Sequence, residues 1–144
     1  MAGVFDIAKG LLADGTLLWP SSSSIFRAML INTSYVFNPA HQHVSDILSF
    51  EVSGGTYARV PITGRTGTFD VGLGRGVIDA DDAVFDALTG VTTAGLVVYK
   101  QIGGDDSTPG NDPLAFYYDF APFVANGTSL KFEFSTQGLS YLTS

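Results

Sequence analysis

The chain has 144 residues and a mass of 15.2 kDa, the size of one domain able to bury about two-thirds of the surface its unfolded form exposes. Seven Lys and Arg stand against fourteen Asp and Glu, and the resulting net charge of −7 repels phosphate backbones and anionic lipid, which argues against nucleic acid and membrane as partners. Apolar residues at 45% exclude disorder as the main state, charged residues at 15% fall below the roughly 25% usual for soluble domains, and the lack of cysteine removes disulfides, thiolate zinc sites and cysteine nucleophiles.

Val4, Phe5, Ala8, Leu11 and Leu12 recur with the period of a helix that buries one face. The spacing predicts a helix over about residues 3–13, stopped near Asp14-Gly15 where glycine accepts the left-handed conformation. Lys9 lies inside this stretch rather than ahead of an apolar run, so no export signal is expected, and no window approaches the roughly 18 apolar residues of a spanning helix. Pro20 and the Ser21 to Ser24 run form a solvated turn between two apolar segments, Leu17 to Trp19 and Ile25-Phe26.

From Ile25 the period becomes two. Strands are predicted over Phe26 to Thr33, Ala58 to Ile62, Thr68 to Val71, Gly76 to Asp79, Val84 to Leu88, Leu96 to Tyr99, Leu114 to Phe120, Leu130 to Phe134 and Leu139 to Leu142, separated by Gly, Asp, Asn, Pro and Thr. Leu114, Phe116, Tyr118 and Phe120 alternate with Ala115, Tyr117 and Asp119, while Leu96 to Tyr99 is apolar on both faces. Eight or nine short strands and one flanking helix predict a mainly β fold of residues 1–144, an antiparallel β-sandwich or jelly-roll-like barrel in one domain. Two stretches read as exposed arms or loops that order only on contact. Residues 52–76 hold seven glycines and three of the seven basic residues, Arg59, Arg65 and Arg75, against the single acid Asp70. Gly103 to Asp112 consists of turn formers and acids.

Catalytic and metal chemistry find little anchor. His41, His43 and Asp46 have ligand chemistry, but two imidazoles do not make a site, and two polar loop histidines are the simpler reading. Asp79, Asp81, Asp82 and Asp86 resemble a calcium loop, yet the sixth and twelfth positions, where an EF-hand needs Gly and Glu, are Val84 and Gly90. The acids of Asp105 to Asp112 form a second oxygen-rich loop, read as a solvated turn. Gly72 to Gly76 lacks the spacing, the lysine and the following helix of a phosphate loop. No serine elbow is present and the histidines adjoin each other, so the expectation is no enzyme, no metal and no cofactor. Tyr99, Tyr117 and Tyr118 have the chemistry to stack a sugar, but alternation places such rings in a core.

A longer pattern runs from Asp79-Ala80-Asp81-Asp82 through Val84 to Leu88 and Gly95 to Lys100, then Asp112 to Phe120, Asn126-Gly127 and a closing strand. With Ala8 to Leu12 in the N-terminal helix and the strand Phe26 to Thr33 leading to Val44 to Ile47, it resembles small structural proteins of tailed bacteriophages. The resemblance covers most of the chain and consists of packing and turn signals. It implies a capsid cement or decoration protein on the exterior of the virion, synthesised in the host cytoplasm, whose partners are the major capsid protein and itself as a dimer or trimer. A tail or head-to-tail connection component and a carbohydrate-binding module are the alternatives. Candidate contact residues are Trp19 and Phe37 near turns and Arg59, Arg65 and Arg75 on the glycine-rich segment, with packing against its own helix the simpler reading of Trp19.

Overall fold

The computed structural model describes residues 2–134 and 140–142, and shows a mainly antiparallel, sandwich-like β architecture. The first strand, β1 (Ala2–Val4), precedes helix α1 (Asp6–Ala13). Then come β2 (Ile25–Ile31), a short helix α2 (Val44–Ile47) with a following 3-10 turn, and β3 (Val60–Pro61). The hairpin β4 (Thr66–Asp70) and β5 (Arg75–Asp79) is followed by β6 (Ala83–Phe85), the long β7 (Thr89–Gln101) and β8 (Leu114–Asn126), β9 (Leu130–Phe132) and β10 (Ser140–Leu142). Leu139, included in the last expected strand, lies outside the described residues.

Five strands form the main sheet in the order β1-β8-β7-β2-β3, with β10-β5-β4 and β6-β9 as two smaller sheets. The central strands are apolar on both faces because both are covered. Phe26, Ala28, Leu30, Leu96 and Val98 face α1, Trp19, Ile78 of β5 and Ala83 and Phe85 of β6. Met29, Ile31, Val97 and Tyr99 face Phe5, Tyr35, Val44 and Ile47. The segment between β2 and β3 therefore acts as a lid on the second face.

Three expectations are corrected. The helix starts at Asp6, because Ala2–Val4 pairs with β8 and Phe5 is extended, its amide donating to Ala115 O at 3.1 Å. The helix end is as expected: Gly15 takes φ +78° after Asp14. The alternation along β8 breaks at Ala115, where the register moves from Val98↔Phe116 to Tyr99↔Leu114, so one extra residue turns Leu114 to the lid face while Phe116 faces Trp19. Finally, residues 52–76 are not a free arm. They contribute β3, β4 and the start of β5, and a Cβ added to Gly55 would fall 1.8 Å from Thr89 O, so this stretch needs glycine to lie against β7.

Candidate functional site

Two regions carry the residues with chemistry, and they differ in kind. The first is a charged network on the lid face of the main sheet. Arg27 lies opposite Tyr99 across β2 and β7, and Arg59 enters from just before β3. The Arg59 guanidinium donates from Nε to Glu51 Oε1 at 2.7 Å and from Nη2 to Glu51 Oε2 at 2.6 Å, a planar two-pronged pair whose side chains are only 12% and 14% exposed. Its Nη1 donates to the Tyr99 hydroxyl at 3.0 Å and lies 3.3 Å from Asp106 Oδ1. Tyr57 donates to Glu51 Oε1 at 2.7 Å and accepts the Leu30 amide. Asp106 Oδ1 also accepts from Tyr99 at 2.6 Å and from Gln101 at 2.7 Å. Arg27 and Arg59 face Glu51 and Asp106, so the charges of these four residues balance.

The electrostatics follow from burial and pairing. Burial opposes charge on Asp106, but hydrogen bonds from Tyr99 and Gln101 and the charges of Arg59 and Arg27 hold its carboxyl below the usual range. The bond to Glu51 outweighs burial and raises the affinity of Arg59 for its proton. Burial pushes the hydroxyls of Tyr57 and Tyr99 up, so both remain neutral donors. This is the reverse of what a tyrosine base or nucleophile needs. The network ties β3, the end of β7 and the Gly103 to Asp112 loop together. That loop is accordingly not a solvated turn throughout: Asp112 is fully buried, its Oδ1 accepts the Ile102 amide at 2.8 Å, its Oδ2 has no hydrogen-bond partner among the described residues, and burial raises its pKa.

The second region is the β4–β5 hairpin. Phe69 is 67%, Val71 81% and Leu73 61% exposed, and Leu18, held at φ 51° so that Leu17 enters the core, is exposed beside them. Leu12, Leu18, Trp19, Phe69 and Val77 line an apolar groove of about 430 Å³ between the end of α1 and the hairpin. Asp70, the sole ionisable residue between Arg65 and Arg75, accepts the Leu73 amide within the turn. The hairpin thus presents apolar and hydroxyl groups and almost no charge.

The five residues singled out from sequence are placed elsewhere than a shared surface. Trp19 is 2% exposed, meets Phe26 and Phe116 edge-on, and donates its indole N–H to Thr66 O and Asp79 O. Phe37 is half-buried, stacked on Tyr117 at 5.1 Å. Arg65 donates to the carbonyls of Trp19, Ile62, Ser21 and Ser24, which pins the serine turn to the hairpin. Arg75 is buried and Arg59 belongs to the network. Sequence reasoning missed the joining of Glu51, Tyr57 and Asp106 to Arg59, a network assembled from residues before β3 and after β7. It also missed the exposure of Val71 and Leu73, which the run of apolar residues between glycines signals.

His41 and His43 do not converge on a ligand. Tyr35 and His41 Nδ1 are 3.0 Å apart, and the Asp46 carboxylate accepts the amides of Gln42 and His43, which holds it below the usual range and caps α2. Among the described residues no group of three or more His, Asp or Glu is placed to hold a metal ion. No family model, no curated protein and no solved structure matches this chain.

Proposed function

We propose that the chain is a virion structural protein of a tailed bacteriophage, a cement protein that binds the outside of the expanded capsid lattice and has no catalytic role. The observation that carries this reading is the exposed, nearly uncharged hairpin tip, Val71 and Leu73, set apart from the lid face, where Arg27, Arg59, Glu51 and Asp106 are paired with one another. The ordered pattern of packing and turn motifs described above supports the same class. Tyrosines held neutral and the lack of an activated nucleophile in the network agree with a role in contact rather than chemistry.

In this reading the partners are the major capsid protein and further copies of the chain. A protein that binds only the expanded shell stabilises it by mass action, and many weak contacts on one lattice gain avidity from their number. The test is co-sedimentation of the purified protein with expanded capsids lacking it, beside unexpanded procapsids and tails, with copies per shell measured by densitometry. Saturable binding to expanded shells alone is the expected result. Binding to tails alone would transfer the assignment to a tail or connection component, and binding to neither, with retention on glycan, would transfer it to a carbohydrate-binding module.

A further inference from the structure

We propose that β4 is a self-association edge, on which a second copy of this chain pairs its own β4 antiparallel about a twofold axis centred on Thr68. In its sheet β4 is terminal, bonded to β5 on one side. An edge strand leaves alternate N–H and C=O groups without a ladder partner, and proteins that stay apart blunt such edges with lysine, proline, bulges or covering loops. Among the described residues none of these protects it. The strand reads Thr-Gly-Thr-Phe-Asp, it is exposed over Thr66 to Phe69, and its register with β5 runs unbroken from Thr66↔Asp79 to Asp70↔Arg75.

The choice of a second copy as occupant follows from the self-complementarity of those five residues. Thr68 is the middle one, so a twofold there pairs the whole strand with itself. Thr68 then faces Thr68, Thr66 faces Asp70, and no two like charges stand opposite each other. Phe69 of each copy lies across from Gly67 of the other, on the same sheet face. Among the described residues nothing stands within 4 Å of the position a Gly67 Cβ would take, and Gly67 belongs to the apolar groove lining, so space for that ring exists on both sides of the axis. Aromatic residues opposite glycine are a recognised stabiliser of strand pairs. The result is a closed pair with one continuous sheet, β10-β5-β4 followed by its symmetry copy, rather than an open fibre. In that pair the two hairpin tips point in opposite directions, one at each end of the shared edge.

The inference rests on the self-association half of the proposed function. The test uses the free full-length chain, which has no cysteine of its own. Residues directly opposite in an antiparallel pair have Cα atoms about 4.5–5.5 Å apart, within disulfide reach. Thr68→Cys under mild oxidant is therefore expected to give a covalent dimer, with Ser23→Cys, exposed on the serine turn, staying monomeric. By sedimentation velocity the parent is expected to be a dimer, and Thr68→Lys, which sets two like charges face to face, to dissociate at least ~10-fold more readily. A parent that sediments as a monomer throughout a concentration series, a dimer untouched by Thr68→Lys, or equal cross-linking at Ser23 would each overturn the proposal. If Thr68→Lys fails to fold, the near-isosteric cysteine variant decides alone. A monomer that still binds shells would overturn the edge pairing and spare the shell role; a dimer that binds no shell would do the opposite.

Discussion

The lid face of the main sheet and the β4–β5 hairpin spend their polar and apolar groups in opposite ways. On the lid face, four charged residues lie against the sheet, each answered by an opposite charge or a hydroxyl. On the hairpin, three large apolar side chains stand in solvent while the one acid is turned inward to its own loop. Burying charge costs free energy unless pairing is complete, and exposing apolar surface forgoes the main driving force of folding. A chain that accepts both gains rigidity where the sheet must hold its shape and leaves a sticky surface where it has no internal use for one. The contrast predicts that mutations on the lid face act on stability, and mutations on the hairpin act on association.

The largest stability effect is expected from Arg59→Met. It strands the Glu51 carboxylate beside Tyr57 in a nearly buried position, and loss of one member of such a pair costs about 3–5 kcal/mol. Urea denaturation measures it, and Arg59→Lys should recover part of the loss but not the two-pronged geometry. Next comes Trp19→Phe, which keeps an aromatic ring against Phe26 and Phe116 but removes the N–H shared by Thr66 O and Asp79 O. The expected cost is about 1–3 kcal/mol by the same assay, and a neutral result would mean that this bond does not anchor the hairpin.

A smaller and pH-dependent effect separates Asp112 from Asp106. The folded state raises the pKa of Asp112, so it binds a proton more readily than the unfolded chain, and its contribution favours folding at low pH and declines as pH rises through the ordinary carboxylate range and the raised value. Asp106, with its pKa lowered, contributes stability that is present above the ordinary carboxylate range and lost as pH falls through its lowered value. Asp112→Asn, which keeps an acceptor for the Ile102 amide, should therefore melt no lower than the parent at pH 7 and lose ground to it as pH falls toward 4. Asp106→Asn should do the reverse, melting below the parent at pH 7 and converging with it in acid. Thermal melts across a pH series test both signs.

Much of this division was legible in the residues, and the parts that were not have a common cause. The helix stop at Gly15 and the strands around Phe26, Leu96 and Leu130 follow from local periodicity and turn chemistry. The pairing of Ala2–Val4 with Phe116 to Tyr118 of β8, by contrast, is a contact across most of the chain that no local pattern encodes. The bulge at Ala115 reverses the face of Leu114 without altering the alternation of apolar residues, so periodicity alone assigns it to the wrong side. The arginines of the glycine-rich segment were visible as a reversal of local charge. Their destinations were not, because Arg59 finds Asp106 and Arg65 finds the serine-turn carbonyls only once distant strands are in register. Glycine content suggested a free arm, whereas Gly55 serves a close approach to Thr89.

The least perturbing change is the most telling about function. Val71→Ser combined with Leu73→Ser removes exposed apolar groups at the hairpin tip and should change stability by no more than about 1 kcal/mol. Measured by co-sedimentation with expanded shells, the double variant is predicted to bind at least ~10-fold more weakly than the parent while melting at nearly the same temperature. Binding equal to the parent would contradict the assignment of the hairpin tip as the contact surface.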